Sequence, residues 1–144
     1  DAISEAWARY VPAGGPRMLM SQISDRLADL EAAVAADRPA QVHRAALDVA
    51  EAGLDLQLRY RPPAEVDRDR LRVRASHLLV DAAAGDPEAV DGDVVVLDAL
   101  LARIGPPAGP AGAMLASTMS ELRAAAAGKD LIRAATAAEA LAKP

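Results

Sequence analysis

Apolar positions along this chain recur at intervals of three and four residues, which is the period of an α-helix. The clearest case is a segment in which the apolar residues step by four, three, four and three: Val90, Val94, Leu97, Leu101 and Ile104. Such a seam is typical of helices that pack against each other in a bundle. The pattern predicts an all-α fold: an up-and-down antiparallel bundle of four main helices plus one or two shorter C-terminal helices.

Proline, glycine and aspartate mark the expected helix ends. At one joint Gly85 suits a helix C-terminus, Asp86 suits an N-cap, and Pro87 suits the first turn of the next helix. The predicted helices cover about residues 16–37, 39–60, 64–84, 87–104 and 110–127, and a sixth ends near residue 142. Loops of about five residues or fewer favour antiparallel neighbours.

The length and apolar content are those of one domain. A chain of 144 residues with 52% hydrophobic residues is long enough to bury a core without metal or disulfide support. We therefore expect a single helical-bundle domain over residues 1–144. Within it, residues 1–15 form a short N-terminal segment, residues 16–104 a four-helix core and residues 110–142 a C-terminal helical hairpin.

Six arginines lie between residues 59 and 74, although the net charge of the chain is −5. If the two helices on either side of residues 61–64 fold back on each other, charged residues at equal distances from the turn are opposite in sign. The expected ion pairs are Arg59 with Asp67, Asp55 with Arg70, Glu51 with Arg74, Asp48 with His77 and Arg44 with Asp81. This predicts a ladder of ion pairs that sets helix register, since an exposed pair contributes only about 0–1 kcal/mol.

Arg61, Arg68 and Arg72 lie outside the predicted ladder. Three cations are too few for a nucleic-acid footprint, and the chain is acidic with only three aromatic residues. We therefore expect no nucleic-acid partner.

A metal-binding site is the main alternative interpretation of the charged residues in this region. His77 and Asp81 are four residues apart on one helical face, and the ladder places Asp48 opposite His77, so these three side chains could hold a divalent transition metal. The simpler interpretation is that His77 is only a rung of the ladder. A second possible site would bind copper or haem iron through methionine sulfur, using Met18, Met20, Met114 and Met119. Methionine at helical spacing is more often a core residue.

Catalytic patterns are missing from the sequence. There is no cysteine, no Ser–His–Asp set and no phosphate-binding glycine loop. We therefore expect no cofactor and no enzymatic activity. The leading hypothesis is a helical module that binds a protein partner, associates with itself or serves as an accessory subunit.

Three further features concern the cellular location and the origin of the protein. No run of about 18 apolar residues occurs, so we expect no transmembrane segment. The chain begins with Asp1 rather than Met, which favours removal of a leader and export from the cytoplasm. The use of fourteen arginines against two lysines is typical of a GC-rich bacterial genome.

Overall fold

Helices begin and end close to the residues that punctuate the sequence. The computed structural model describes residues 2–11, 16–105 and 107–143. Over these ranges it contains seven helices and no strand. The helices are α1 (Ala2–Tyr10), α2 (Arg17–Ala35), α3 (Pro39–Gln57), α4 (Pro63–Ala84), α5 (Pro87–Ile104), α6 (Pro110–Ala127) and α7 (Leu131–Ala142). The predicted all-α fold is confirmed, and α1 occupies most of the expected N-terminal segment.

The joint between α4 and α5 has the predicted capping chemistry. Gly85 closes α4 in the left-handed conformation, with φ of 75°. The Asp86 side chain accepts a hydrogen bond from the Ala89 backbone N–H at 3.0 Å, and Pro87 occupies the first turn of α5. Asp130 caps α7 in the same way, accepting from the Arg133 N–H at 3.1 Å. These caps satisfy backbone donors that have no partner inside the helix.

The chain divides into two compact units, Asp1–Arg59 and Tyr60–Pro144. In the N-terminal unit, α2 and α3 pack along each other. Trp7 Nε1 of α1 donates a hydrogen bond to Ser24 Oγ of α2 at 2.9 Å. The buried positions of α2 recur every three or four residues, as the helical pattern requires: Met20, Ile23, Leu27, Leu30 and Ala33.

The C-terminal unit is a bundle of α4, α5, α6 and α7. Leu78, Leu97 and Leu122 are completely buried in its hydrophobic core. The α7 side of the core consists mostly of alanine: Ala134, Ala137, Ala138 and Leu141. Alanine allows helix axes to approach closely. Accordingly, α7 packs extensively against both α4 and α6, whereas α5 and α6 touch over a much smaller region.

The large cluster of buried residues in the C-terminal unit is drawn from α4 to α7, so residues 110–142 supply two of its four helices. Small side chains on α6 and α7 give a weak apolar pattern in the sequence but pack efficiently in three dimensions. The single domain over residues 1–144, with its four-helix core at 16–104, stays a prediction.

None of the helices in the described part of the chain is both long enough and apolar enough to cross a membrane. This agrees with the expectation drawn from the sequence.

Leu97→Ala tests the core of the C-terminal unit. Because Leu97 is fully buried in α5, we expect the free energy of unfolding to fall by about 2–5 kcal/mol, measured by urea denaturation. Val95→Ala on the same helix is the control. Its side chain is 69% exposed, so its loss should change stability by less than about 0.5 kcal/mol. Equal losses of stability in the two variants would contradict the burial of Leu97 in the core.

Candidate functional site

The three residues predicted to hold a metal lie in different units. His77 and Asp81 stand one turn apart on α4, and both are almost completely buried. Asp48 lies on α3 in the N-terminal unit. No group of three or more histidine, aspartate or glutamate side chains suited to a metal ion occurs within residues 2–11, 16–105 and 107–143. The site formed by His77, Asp81 and Asp48 stays a prediction.

The four methionines are also divided between the units. Met18 and Met20 lie on α2, and Met114 and Met119 lie on α6. Met20 and Met119 are core residues of their own units, which agrees with the usual role of methionine in filling irregular gaps. Met18 and Met114 are exposed. A soft-metal or haem site also stays a prediction.

Acidic side chains within the C-terminal unit bind most of the arginines from the arginine-rich stretch. Asp69 receives Arg61 on one oxygen and Arg72 on the other, each at 2.7 Å. The hydrogen bond to Asp69 raises the pKa of Arg61. Arg70 lies 3.6 Å from Asp67 on the same helix. The pairs 67–70 and 69–72 have the i, i+3 spacing of helix neighbours, so the sequence contained the signal for them.

Two further ion pairs join α4 to α5. Arg103 donates two hydrogen bonds to Asp67, at 2.7 and 3.1 Å, and Arg74 donates to Asp93 at 3.2 Å. Both aspartates are buried, and a buried carboxylate is costly unless it is paired. The predicted ladder would pair residues of α3 with residues of α4, which belong to different units, and it stays a prediction.

One bridge joins α5 to α6. Arg123 donates a two-pronged set of hydrogen bonds to the Asp98 carboxylate, with distances of 2.6 to 3.1 Å. These bonds raise the pKa of Arg123. The planar guanidinium and carboxylate groups fix the geometry of the contact. The bridge therefore holds the two helices together at one place where few other contacts join them.

An open cleft lies beside this bridge. It measures about 480 Å³ and is lined by Leu101 and Ala102 of α5 and by Leu115, Ala116 and Met119 of α6. The Asp98–Arg123 pair borders it. We call this opening the interhelix cleft. Two of its side chains, those of Ala102 and Ala116, are only methyl groups, and both alanines are exposed.

A second opening lies at the end of the bundle where α4 and α6 begin and α5 and α7 end. It measures about 370 Å³. Three cationic side chains line it: Arg68, Arg72 and Lys143. Its apolar lining includes Leu71, Leu101, Ile104, Leu115 and Leu141. We call this opening the basic groove; it shares Leu101 and Leu115 with the interhelix cleft.

Sequence reasoning left two clues to the basic groove unused. Arg68 and Arg72 were among the three arginines that the predicted ladder could not accommodate. Leu101 and Ile104 complete the apolar seam of α5, but they are only partly buried, whereas Val90 and Leu97 are completely buried. The apolar positions of α5 continue to Leu101 and Ile104, which the neighbouring helices cover only in part. Together with two arginines that the ladder did not use, this could have revealed the groove.

The wall of the basic groove depends on one glycine. Pro107 and Gly105 line the groove from the connection between α5 and α6. A Cβ atom at Gly112 would collide with the Pro107 carbonyl oxygen. Glycine at this position therefore lets the connection lie directly against the first turn of α6.

No known protein family, curated protein sequence or solved structure shows significant similarity to the chain. The side chains that line the two openings are therefore the basis for a proposed function.

Gly112→Ala should displace the wall of the basic groove. Because the Pro107 carbonyl must move, we expect a loss of about 1–3 kcal/mol in the free energy of unfolding. Gly92→Ala is the matched control, since a Cβ atom on this helical residue would meet nothing within 4 Å. That substitution should increase stability by about 0.5–1 kcal/mol, as expected for alanine in a helix. Thermal and urea denaturation measure both, and stabilisation by Gly112→Ala would contradict the close contact.

A panel of Cu²⁺, Zn²⁺, Fe²⁺, Mn²⁺ and Ca²⁺ tests the metal hypothesis. If His77, Asp81 and Asp48 hold a metal ion, at least one of these ions should raise Tm above that of the metal-free protein, because a ligand that binds only the folded state stabilises it. His77→Ala provides the control, and the rise in Tm should disappear in this variant. No rise with any of the five ions would contradict a metal site at these residues.

Proposed function

We propose that the protein is a non-enzymatic binding module that receives a helical segment of a partner protein in the interhelix cleft. The observation that carries this proposal is the separation of α5 and α6. They are consecutive in the chain, yet they leave an apolar cleft where the other adjacent helices of the bundle pack closely.

The lining of the cleft suits a helix rather than a flat surface. Leu115 of α6 is partly exposed and Ala116 beside it is exposed, whereas Met119, one turn further along, is buried in the core. Ala102 faces the cleft from α5. Small residues at a helix contact let another helix approach closely, and larger residues beside them give the partner apolar surface to bury.

An exposed valine of α5 extends the apolar lining of the cleft along the helix. Val95 lies three residues before Asp98 and seven before Ala102, which places it on the cleft side of the helix. Its side chain is largely exposed. A partner helix that follows the cleft past the Asp98–Arg123 bridge would bury this valine as well. The apolar contact would then extend over about two turns of α5.

Burial of apolar surface would supply most of the affinity. Truncating the apolar lining should weaken a complex more than altering charges at the rim, because central apolar contacts dominate most protein interfaces. The partner segment is expected to present apolar residues at i, i+3, i+4 and i+7.

A photo-crosslinking amino acid placed at Ala116 tests the proposal directly. In cells that produce the protein, illumination should yield an adduct with a specific partner, and mass spectrometry should map the link to an amphipathic helix of that partner. The control places the same amino acid at Glu121, which is exposed on another side of α6. Equal adducts from both positions would overturn the assignment to the cleft.

A second measurement uses the purified partner. Ala116→Glu brings a carboxylate into the apolar cleft at an exposed position, so the fold should survive while the Kd for the partner rises at least tenfold. Glu121→Ala should leave the Kd within about twofold. If the adduct from Ala116 contains a second copy of this chain, sedimentation at increasing concentration should show self-association instead of a heterologous complex.

A further inference from the structure

The basic groove collects cations in a chain that is acidic overall. The protein has 21 acidic and 16 basic residues, but the described residues that line this groove include Arg68, Arg72 and Lys143 and no aspartate or glutamate. This local excess of positive charge attracts an anionic ligand.

The three cations differ in what holds them. Arg72 is fixed by Asp69, with 2.7 Å between Nη1 and Oδ1. The side chains of Arg68 and Lys143 take part in no ion pair or hydrogen bond within the described part of the chain. These two cations therefore have their full hydrogen-bonding capacity available for a ligand.

The same groove has an apolar floor. Leu101, Ile104 and Leu115 are partly exposed there, and Leu71 and Leu141 complete the lining. Leucine and isoleucine side chains left open to water favour contact with a hydrocarbon chain. The volume of about 370 Å³ is within the usual range for small-molecule sites.

We propose that the basic groove binds a single-chain carboxylate amphiphile, such as a medium-chain fatty acid, as a free molecule. Its carboxylate lies between Arg68 and Lys143, and its hydrocarbon chain lies against Leu101, Ile104 and Leu115. Arginine pairs with planar carboxylates in a two-pronged geometry, which favours this head group. The described lining has no aromatic side chain on which a nucleobase could stack.

This proposal and the proposed function share Leu101 and Leu115 in the lining of their sites, but their tests change different residues. Arg68 and Lys143 are changed to test the amphiphile, and Ala116 is changed to test the partner helix. Each proposal can therefore fail without the other.

Isothermal titration calorimetry with decanoate, below its micelle concentration, tests the site. We expect one molecule to bind per chain. The affinity should fall about fifteenfold for every two methylene groups removed from the probe, since each buried methylene contributes a roughly fourfold gain in affinity. Decyltrimethylammonium, which has the same tail and a cationic head, should bind at least tenfold more weakly than decanoate.

Substitutions at the two cations locate the site. Arg68→Gln and Lys143→Gln should each raise the Kd for decanoate about fivefold, and the double variant about twentyfold. Arg133→Gln removes a cation from the exposed surface of α7 outside the groove, and it should leave the Kd unchanged. Circular dichroism melting curves identify any variant whose fold is altered, and Leu101→Gln then provides an independent test of the tail contact by raising the Kd.

Three outcomes would overturn the proposal. The first is decanoate affinity that is unchanged in the double variant. The second is equal binding of the cationic and anionic probes. The third is binding to phosphatidylglycerol vesicles without binding to free decanoate, which would assign the cations to a membrane surface.

Discussion

The C-terminal unit depends on the burial of aliphatic side chains from four helices, in a chain that contains no phenylalanine. Leu78, Leu97 and Leu122 exclude water completely, and Ala134 and Ala138 do the same on α7. Because alanine side chains are short, α7 lies close to α4 and α6. On the opposite side, Ala102 and Ala116 are too small to fill the space between α5 and α6, so the interhelix cleft stays open.

The pairing of charges in this unit follows from the packing. Asp67 and Asp93 are carried into nearly buried positions by the helices on which they lie. Their carboxylates would strongly oppose folding if they were unpaired, and Arg103 and Arg74 bind them. Most of the arginine-rich stretch is therefore engaged by acidic side chains, and it does not present a uniform basic surface.

Two cations of this unit that no described acidic side chain binds come together at one end of the bundle. Arg68 and Lys143 are distant in the sequence, but the antiparallel arrangement brings the start of α4 and the end of α7 together. Leu101 and Leu115 connect this end to the interhelix cleft.

The positions of the helices follow from local sequence, since proline, glycine and aspartate act on the nearby backbone and the apolar period is a property of neighbouring residues. The joint at Gly85, Asp86 and Pro87 was predicted residue by residue for this reason. Three outcomes follow only from packing in three dimensions: which helices share a core, which acid binds Arg74 within the C-terminal unit, and that Arg68 and Lys143 line one groove. Those outcomes depend on how closely small side chains let helices approach, and that distance is not encoded in any local pattern.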